Sequence, residues 1–564
     1  GSTEAGVLEL KDVRVPRTVL LDEKLDAKDD ALEVPVRFRC RGFKRGTIEL
    51  TLKVGDQTVT ETMPVAEGDN ITKVLRMDPK KGKEGDRPVT VSIRLRERPD
   101  VKDDAARTVN VRNSRIKALY IENTPRREYK FIHPVLDRDR RVLLRVFLAE
   151  GDPKLHELGA DRESGSMYLE KFPEGFPEPH PKDPDQRRYN LVILGDVPIK
   201  ALGPKGMEQL RKWVREGGGL VALAGRGHFP AEYADPKVAE LFPVEYRREE
   251  FNSDTDSRST VYRPQLTYDG EHSPLLSLSD KPEDNLKLWK EELWKDVPGF
   301  FWYYPVTDLR PGAVPLLVHP DRKAGKQKDE KPMPLVATHH YGRGEVLYVG
   351  LEETWRWRDG TGDRLTARFW GQAAVQLGLP SLLGNSSRTI LDLEKGEPVL
   401  NKPGAVKARL LDPSLDPIRK EKIEAVLVND ATRAERKVVL MRVPGQPGEY
   451  RAALPNDAPG KHELRLPAGD GIEAATLPYK VELPPRHELL QAGLADEALA
   501  AMAAASGGKL YREEDLHRLP DAIATANFRF QQPGEVLLWG PLAMAIFILL
   551  IAAEWIIRKF SNLS

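Results

Sequence analysis

The stretch from Tyr189 to Pro230 constrains the fold of this chain most, because two apolar segments flank an amphipathic one. Residues 190–194 predict a buried strand, and the pair Gly203-Pro204 predicts the start of a helix. The triple glycine at 217–219 ends that helix, and residues 220–224 predict a second buried strand. This order is typical of a doubly wound parallel sheet, whose functional site lies at the carboxyl ends of its strands.

The segments on either side extend the same sheet. Residues 116–121 and 141–148 predict buried strands that enclose a helix at 127–137, and further strands follow within 314–350. We therefore predict an α/β domain at residues 114–386.

A segment from about 245 to 310, which we predict to be a β-rich insertion in this domain, is rich in aromatic residues. Its aromatic side chains include Trp289, Trp294, Phe301, Trp302, Tyr303 and Tyr304. They form either a platform on which carbohydrate stacks or the apolar filling beneath a long loop. Packing is the commoner use of such side chains.

Two segments that flank the α/β domain alternate apolar and polar residues, which predicts antiparallel strands. In residues 1–113 the alternation is clearest at 34–40 and 89–95, and it recurs in residues 387–484. We predict an immunoglobulin-like β-sandwich for each segment. Cys40 shares the inward parity of its strand, so we interpret it as a buried core thiol rather than a reactive nucleophile.

The strongest local signal is an apolar run near the C-terminus. Residues 536–553 are 18 consecutive residues without a charge, and the run continues apolar after Glu554. At about 1.5 Å per residue, a helix over 535–558 is long enough to cross the apolar core of a bilayer. Trp539 and Trp555 lie near its two ends, where interfacial aromatic residues are enriched.

The residues around this helix predict its orientation. Arg558 and Lys559 directly follow the apolar run, which favours a cytoplasmic tail at residues 559–564. Residues 485–534 then form a helical juxtamembrane segment outside the cytoplasm, together with the bulk of the chain. The chain opens on Gly1-Ser2 without a signal-like segment, so we expect the natural N-terminus to lie upstream.

Composition argues against several classes of function. The 564 residues contain 87 Lys+Arg and 87 Asp+Glu, so the chain lacks the basic surplus that drives nonspecific binding to nucleic acid. Cys40 is the only cysteine, which excludes an intramolecular disulfide and a cysteine-based zinc cluster. We predict no cofactor and no metal site, and His339 and His340 are adjacent on a strand and so face opposite sides.

Several runs in the central segment resemble the glutamine amidotransferase-like domain of large bacterial membrane proteins, a type abundant in planctomycetes. The runs are Tyr120–Phe131, Gly195–Pro198, Gly217–Leu220 leading to Ala224-Gly225, Glu353–Arg358, Asp363-Arg364 and Arg368–Gln372. The resemblance implies a central flavodoxin-like doubly wound parallel sheet between two immunoglobulin-like β-sandwiches, with a C-terminal transmembrane helix. Relatives of this type often carry von Willebrand A modules and further membrane helices.

The sequence departs from the enzyme pattern at the residue that performs the chemistry. Active class I amidotransferases carry a cysteine in a strand-to-helix elbow before Gly-His-Gln, and a downstream histidine and glutamate activate it. Matching Gly227-His228 to that elbow puts Gly225 and Arg226 at the two candidate positions. Neither has a thiol, and without a thiolate no thioester with glutamine forms. The resemblance therefore implies a catalytically degenerate domain with no assigned catalytic residue.

The remaining candidates are ligand-binding residues at the predicted strand ends. They are Glu122, Arg126, Asp196, Arg226, His228, Glu353 and Arg356. Glu352, Glu353 and His339 are further candidates for acid–base roles. The run Trp355-Arg356-Trp357-Arg358 has two interpretations: arginines paired with acids such as Asp359 or Asp363 above packed tryptophans, or an arginine surface for an anionic ligand.

The sequence thus predicts a membrane-anchored extracytoplasmic interaction or scaffold protein of the bacterial cell envelope, with a degenerate amidotransferase-like domain. Its expected partners are the membrane, through the C-terminal helix, and envelope proteins. The alternative is a noncysteine hydrolase or a carbohydrate-binding protein, for which a glycan would be the ligand.

Overall fold

The computed structural model describes residues 7–16, 18–20, 32–43, 45–77, 84–112, 114–157, 167–172, 179–180, 183–187, 189–246, 261–279, 282–295, 297, 299–322, 331–359, 362–384, 387–394, 398–481, 496–511, 513–522 and 540–561. The chain divides into two compact units, Glu4–Ala492 and the C-terminal Gly493–Ser564. Within the larger unit the described buried residues form three hydrophobic cores.

The N-terminal core lies between two sheets. The strands are β1 (Val7–Val13), β2 (Thr18–Leu20), β3 (Leu32–Arg41), β4 (Thr47–Val54), β5 (Gln57–Pro64), β6 (Gly68–Met77), β7 (Gly85–Leu95) and β8 (Arg98–Arg112). Hydrogen bonds join β1, β3 and β6 in one sheet and β2, β8, β7, β4 and β5 in the other. Alternate residues such as Val34, Phe38 and Ile93 fill the core between them. Cys40 is among them and is fully buried, as predicted.

The central core is organised by a mixed sheet. Its region contains β9 (Ile116–Glu122), β10 (Val142–Leu148), β11 (Pro179–His180), β12 (Asp183–Arg187), β13 (Leu191–Leu194), β14 (Gly219–Leu223), β15 (Val244–Glu245), β16 (Gln265–Leu266), β17 (Asp308–Leu309), β18 (Val314–Val318), β19 (Pro334–Tyr341) and β20 (Gly344–Val349). The main sheet has the order β10-β9-β13-β14-β20-β19-β18-β16. Neighbours from β10 to β20 are parallel, and β19, β18 and β16 continue the sheet in antiparallel pairs.

Helices cover this sheet closely. They are α1 (Arg127–Arg138), α2 (Ile199–Arg215), α3 (Pro236–Ala239), α4 (Tyr268–His272), α5 (Pro282–Lys287) and α6 (Arg364–Leu382). Every residue of β13 and β14 is buried, as expected for parallel strands covered on both faces. A Cβ on Gly219 would lie 2.1 Å from the carbonyl oxygen of Leu377, so glycine lets α6 approach β14 at this point.

Helix α2 starts earlier than the sequence indicates. A first turn begins at Ile199, and the helix bends at Gly203, whose φ is 65°, before continuing through Pro204. Pro204 is compatible with this position because it opens the second helical segment, where its missing N–H costs no hydrogen bond.

The described residues of the insertion are not β-rich, which corrects the prediction for about residues 245 to 310. Its described residues form α4, α5, a π-helical turn at Leu288–Glu292 and strands of only two residues. The aromatic side chains explain the difference, because four of them are buried in the central core: Trp289, Trp294, Trp302 and Tyr304. Filling the core needs side-chain volume but no extended backbone.

The third core is enclosed by strands β21 (Thr389–Leu393), β22 (Gly404–Leu410), β23 (Lys422–Asn429), β24 (Glu435–Arg442), β25 (Glu449–Leu454), β26 (Gly460–Leu466) and β27 (Ala475–Val481). Among the described strands, hydrogen bonds join all of these in one sheet in the order β21-β22-β25-β24-β23-β26-β27, whereas the predicted sandwich has two separate sheets. The sheet is continuous because β23 pairs with β24 on one side and with β26 on the other. It curls around its core, since the edge strands β21 and β27 lie next to each other.

The C-terminal unit contains helices at Asp496–Ala505, Glu513–Arg518, Leu519–Ala522 and Pro541–Phe560. Among the described residues, Pro541–Phe560 is the one helix long and apolar enough to cross a membrane, and none of its residues is buried in the protein. It begins at Pro541 after the extended Gly540, and it includes Lys559 and Phe560, which the sequence analysis assigns to the tail. The chain is thus a mixed α/β and β-rich protein with an apolar C-terminal helix that could anchor it in a membrane.

Candidate functional site

The carboxyl ends of the parallel strands bring most of the predicted site residues to one edge of the central sheet. Glu122 is the last residue of β9, and Asp196 follows β13. Arg226 and Glu353 follow β14 and β20. Because these strands are neighbours in the order β9-β13-β14-β20, side chains far apart in sequence meet here.

Arg126 lies at the centre of this edge and is held by four groups. Its Nε donates to Glu122 at 2.8 Å, and Nη1 lies 3.3 Å from Glu352. Nη1 and Nη2 also donate to the carbonyl oxygens of Ala224 at 2.9 Å and Leu223 at 3.4 Å. A side chain that is 11% exposed and bonded in this way ties β9, β14 and β20 together.

Burial and charge act against each other in this pair. Burial raises the pKa of Glu122, and the neighbouring Arg126 opposes that shift. Burial alone would lower the pKa of Arg126, but Glu122 and Glu352 outweigh it and the pKa is raised. Glu122 also accepts the backbone N–H of Asp196 at 2.8 Å. The arginine therefore stays charged and fixed in place.

The loop Gly225–Phe229, which the sequence resemblance predicts to be the nucleophile elbow, is closed by the carboxylate of Asp196. Its Oδ1 accepts the backbone N–H of His228 at 2.6 Å and of Phe229 at 2.8 Å. Its Oδ2 accepts the N–H of Gly227 at 2.8 Å. Successive backbone N–H groups form an anion-binding concavity, and here the protein's own side chain occupies it.

The same carboxylate leaves no space for a side chain at Gly225. A Cβ built there would lie 2.3 Å from both Cβ and Cγ of Asp196, closer than real Cβ contacts come. The glycine at this position is therefore required by packing against Asp196. A cysteine could not be placed at residue 225 without moving the loop or the aspartate.

His228 forms a pair with Glu232 that is not among the predicted site residues. Its Nδ1 lies 2.7 Å from Glu232, and the other oxygen of Glu232 accepts the backbone N–H of Ile199 at 3.1 Å. Both side chains are 31% exposed. The spacing of four residues was a visible signal, although the segment between them contains Pro230 and no regular helix was predicted there.

Arg226 and Glu352 form the outer layer of the edge. Arg226 is 41% exposed, and its Nε lies 3.3 Å from Glu352. Its guanidinium carbon lies 5.3 Å from the centre of the Trp302 ring. Glu352 thus joins the buried Arg126 to the exposed Arg226.

Glu353 and Arg356 hold the insertion in place. Glu353 is buried and accepts the backbone N–H groups of Phe301 and of Trp302, the latter at 3.1 Å. Arg356 lies 3.2 Å from Glu353 and pairs with it, while Arg358 pairs with Asp363 at 2.5 Å. These contacts agree with the interpretation in which the arginines of the Trp355–Arg358 run pair with acids. Arg358 pairs with Asp363 as that interpretation suggests, and Arg356 pairs with Glu353.

Glu128 is a buried acid that no pattern in the sequence marks as a site residue. One oxygen accepts the backbone N–H of Thr354 at 3.2 Å and the Thr354 hydroxyl, which also accepts from Trp370 at 3.1 Å. Within the described residues the other oxygen has no hydrogen-bond partner. Burial raises the pKa of Glu128 to about 7, although the Thr354 bonds act in the opposite direction.

His339, the other acid–base candidate, is a structural residue. Its Nε2 lies 2.9 Å from the carbonyl oxygen of Leu241, and burial lowers its pKa to about 4. His340 is exposed on the other face of β19. Among the described residues no three His, Cys, Asp or Glu side chains are grouped so as to hold a metal ion.

Comparisons with known proteins give only distant similarities. No protein-family model and no curated protein matches the chain. The CARDB domain of a Pyrococcus furiosus protein, solved with di-metal ions, matches at 12% identity and a TM-score of 0.15, covering 20% of this chain and 93% of that one. The exo-beta-1,4-mannosidase Op5Man5 from Opitutaceae bacterium strain TAV5 matches at 16% identity and 0.24, covering 47% and 36%. A Bacteroides uniformis beta-glucuronidase matches at 9% and 0.17, covering 85% and 61%. Similarities this low carry no conclusion about function.

Proposed function

We propose that this chain is a membrane-anchored interaction or scaffold protein of the bacterial cell envelope. In this proposal the central domain is a flavodoxin-like, doubly wound relative of glutamine amidotransferases that no longer performs their reaction. The flanking β-regions are immunoglobulin-like modules. The bulk of the chain lies outside the cytoplasm, and the helix Pro541–Phe560 anchors it.

The observation that carries this proposal is the closure of the loop Gly225–Phe229 by Asp196. A nucleophile needs a side chain at the elbow and free N–H donors to stabilise the negative charge that develops on the substrate. The N–H groups of Gly227, His228 and Phe229 are already bonded to a carboxylate, and Gly225 has no room for a side chain. A sheet edge whose polar groups are already hydrogen-bonded within the protein is suited to binding a partner protein through its fixed surface.

Activity assays test the loss of chemistry. The full chain in detergent micelles is incubated with glutamine, with an amide library and with chromogenic glycosides, and product release is compared with that of His228→Ala. We expect no turnover above that of the variant. Turnover that disappears in His228→Ala would overturn the proposal.

Crosslinking tests the interaction role. A photoreactive amino acid replaces the exposed Arg226, or Arg436 in the third region as a control with a similarly exposed, ion-paired side chain. In native membranes we expect one envelope protein to be captured reproducibly from position 226 and not from position 436. Equal labelling from both positions would count against a specific surface at the sheet edge.

One observation favours a second candidate, a noncysteine hydrolase. Because Glu232 holds Nδ1 of His228, the Nε2 atom is left as the proton acceptor that could activate water. In this case the assays above would give turnover that falls at least about 100-fold in His228→Ala, in the range expected for loss of a general base. A carbohydrate ligand would instead be found by glycan-array binding that His228→Ala abolishes.

A further inference from the structure

Beside the candidate site, arginines and aromatic rings stack on one another at the surface. We define the arginine–aromatic patch as Arg127, Phe131, Trp355, Arg356 and Arg358. The guanidinium carbon of Arg127 lies 3.6 Å from the centre of the Trp355 ring, and that of Arg356 lies 4.6 Å from it. The rings of Phe131 and Trp355 stack at 5.9 Å, and Arg358 lies 4.6 Å over Phe131.

Two short elements create this patch. Arg127 and Phe131 are four residues apart on α1 and therefore share one face. Trp355 and Arg358 are three residues apart in the 3₁₀ helix Thr354–Arg358, in which such residues overlie one another. Glu128 fixes the two elements together, because it lies on α1 and bonds Thr354 at the start of the 3₁₀ helix.

One arginine of the patch, Arg127, differs from the other two in its ion pairing within the described residues. Arg356 pairs with Glu353 and Arg358 with Asp363. Arg127 is exposed, and within the described residues it forms no ion pair. Stacking uses the face of the guanidinium, so the N–H groups at its edge remain directed for a planar, bidentate anion such as a carboxylate.

We propose that the arginine–aromatic patch binds a carboxylate-rich segment of a partner protein, with Arg127 as the main contact. This inference rests on the proposed interaction function and names the chemistry of the partner. Arginine and tryptophan are the residues most enriched among those that dominate protein interfaces. A nucleic acid or another phosphate polymer fits less well, because the paired Arg356 and Arg358 leave too few free cations to follow a charged backbone.

The test measures binding of a defined probe. A fluorescent peptide of about ten residues rich in Glu and Asp is titrated with the full chain in detergent micelles and followed by anisotropy. The reference peptide carries Gln and Asn at the same positions. The variants are Arg127→Gln, Arg127→Lys and Trp355→Ala, and Arg436→Gln is the control because it removes the same charge from the third region.

We expect saturable binding of the acidic peptide alone. Arg127→Gln should weaken it about 10-fold, in the range of a charge-assisted hydrogen-bonded contact. Arg127→Lys should retain only part of the affinity because it keeps the charge and loses the planar fork. Arg436→Gln should change the affinity less than about 2-fold, as expected for a distant exposed pair.

The proposal would be overturned if the unaltered chain did not bind the acidic peptide or if it bound the Gln and Asn peptide equally well. Equal losses of affinity in Arg127→Gln and Arg436→Gln would overturn it too. Preference for polyphosphate over the peptide would also overturn it. These failures are distinct from failure of the proposed function, since crosslinking at position 226 would be unaffected by them. Thermal unfolding of each variant, measured alongside, shows that lost affinity is not lost folding.

Discussion

Two carboxylates in the central domain, Asp196 and Glu128, each connect separate segments by hydrogen bonds, but only Asp196 uses both of its oxygens. Asp196 closes the loop Gly225–Phe229 and uses both oxygens to accept three backbone N–H groups. Glu128 connects α1 to Thr354 with one oxygen, while the other is buried without a described partner. Both oxygens of the carboxylate at the loop Gly225–Phe229 are thus hydrogen-bonded, whereas beneath the arginine–aromatic patch one buried carboxylate oxygen has no partner among the described residues.

The largest expected effect comes from removing the satisfied carboxylate. Asp196→Ala leaves three N–H donors without their acceptor, and hydrogen bonds to charged groups contribute about 1.5 to 3 kcal/mol each. Because water reaches this loop in part, we expect a loss of about 4 kcal/mol in the free energy of unfolding, measured by urea denaturation. Asp196→Asn should lose about half as much, since one oxygen still accepts. A loss below about 1 kcal/mol for Asp196→Ala would contradict the role assigned to this side chain.

A smaller effect tests whether Asp196 and Gly225 exclude each other. Gly225→Ala places a Cβ against the aspartate, and we expect it to cost about 3 kcal/mol, in the upper range for overpacking. In an Asp196→Gly background the same substitution should cost much less, because the obstructing side chain is gone. The double-mutant cycle measures this coupling. If the losses in unfolding free energy were additive, the backbone of the loop, and not the Asp196 side chain, would be what excludes a side chain at residue 225.

The smallest effect of a substitution, about 2 kcal/mol, concerns Glu128→Gln and has the opposite sign. Its pKa in the fold, about 7, lies above the ordinary value of 4.5, so the fold binds the proton more tightly than the unfolded chain does. The unfolding free energy should therefore be highest below about pH 4.5 and fall as pH rises toward 7, by about 3 kcal/mol from this group. Glu128→Gln mimics the protonated acid.

We accordingly expect Glu128→Gln to stabilise the protein by about 2 kcal/mol at pH 8 and to leave it unchanged near pH 4.5, less a small cost for the new amide N–H groups. Unfolding curves of both proteins across this pH range provide the measurement. The control is Glu424→Gln, which removes one acid from an exposed position of β23. A stability difference that does not vary with pH would contradict the titration of Glu128.

The sequence predicts the order of strands and helices well because burial leaves a local pattern. The strands at 116–121 and 190–194 and the helix at 127–137 all lie where predicted, to within about two residues. The prediction of a β-rich insertion is wrong for its described residues. Its aromatic side chains fill the central core, and this requires side-chain volume but no extended backbone. The curled third sheet is not predicted because the pairing of β23 with β26 joins residues such as Val426 and Arg465 across two intervening strands.

The sequence predicts where the candidate site lies in the sheet, but it does not predict which hydrogen bonds join the site residues. Strand ends identify Glu122, Asp196 and Arg226, because the loops at those ends share one edge. The bond from Asp196 to the loop after β14 depends on β13 and β14 being neighbours, which no local pattern encodes. Glu128 is missed for the same reason: its partner Thr354 lies 226 residues away.

The contact between Gly225 and Asp196 also bears on the proposed relationship to glutamine amidotransferases. A cysteine at the position of Gly225 would not by itself mark an active enzyme, because an aspartate at the position of Asp196 would collide with it. The two positions should vary together: wherever 225 gains a side chain, 196 should shrink. Under that proposal, the residues at both positions, rather than the presence of one thiol, would separate active from inactive amidotransferase-like domains.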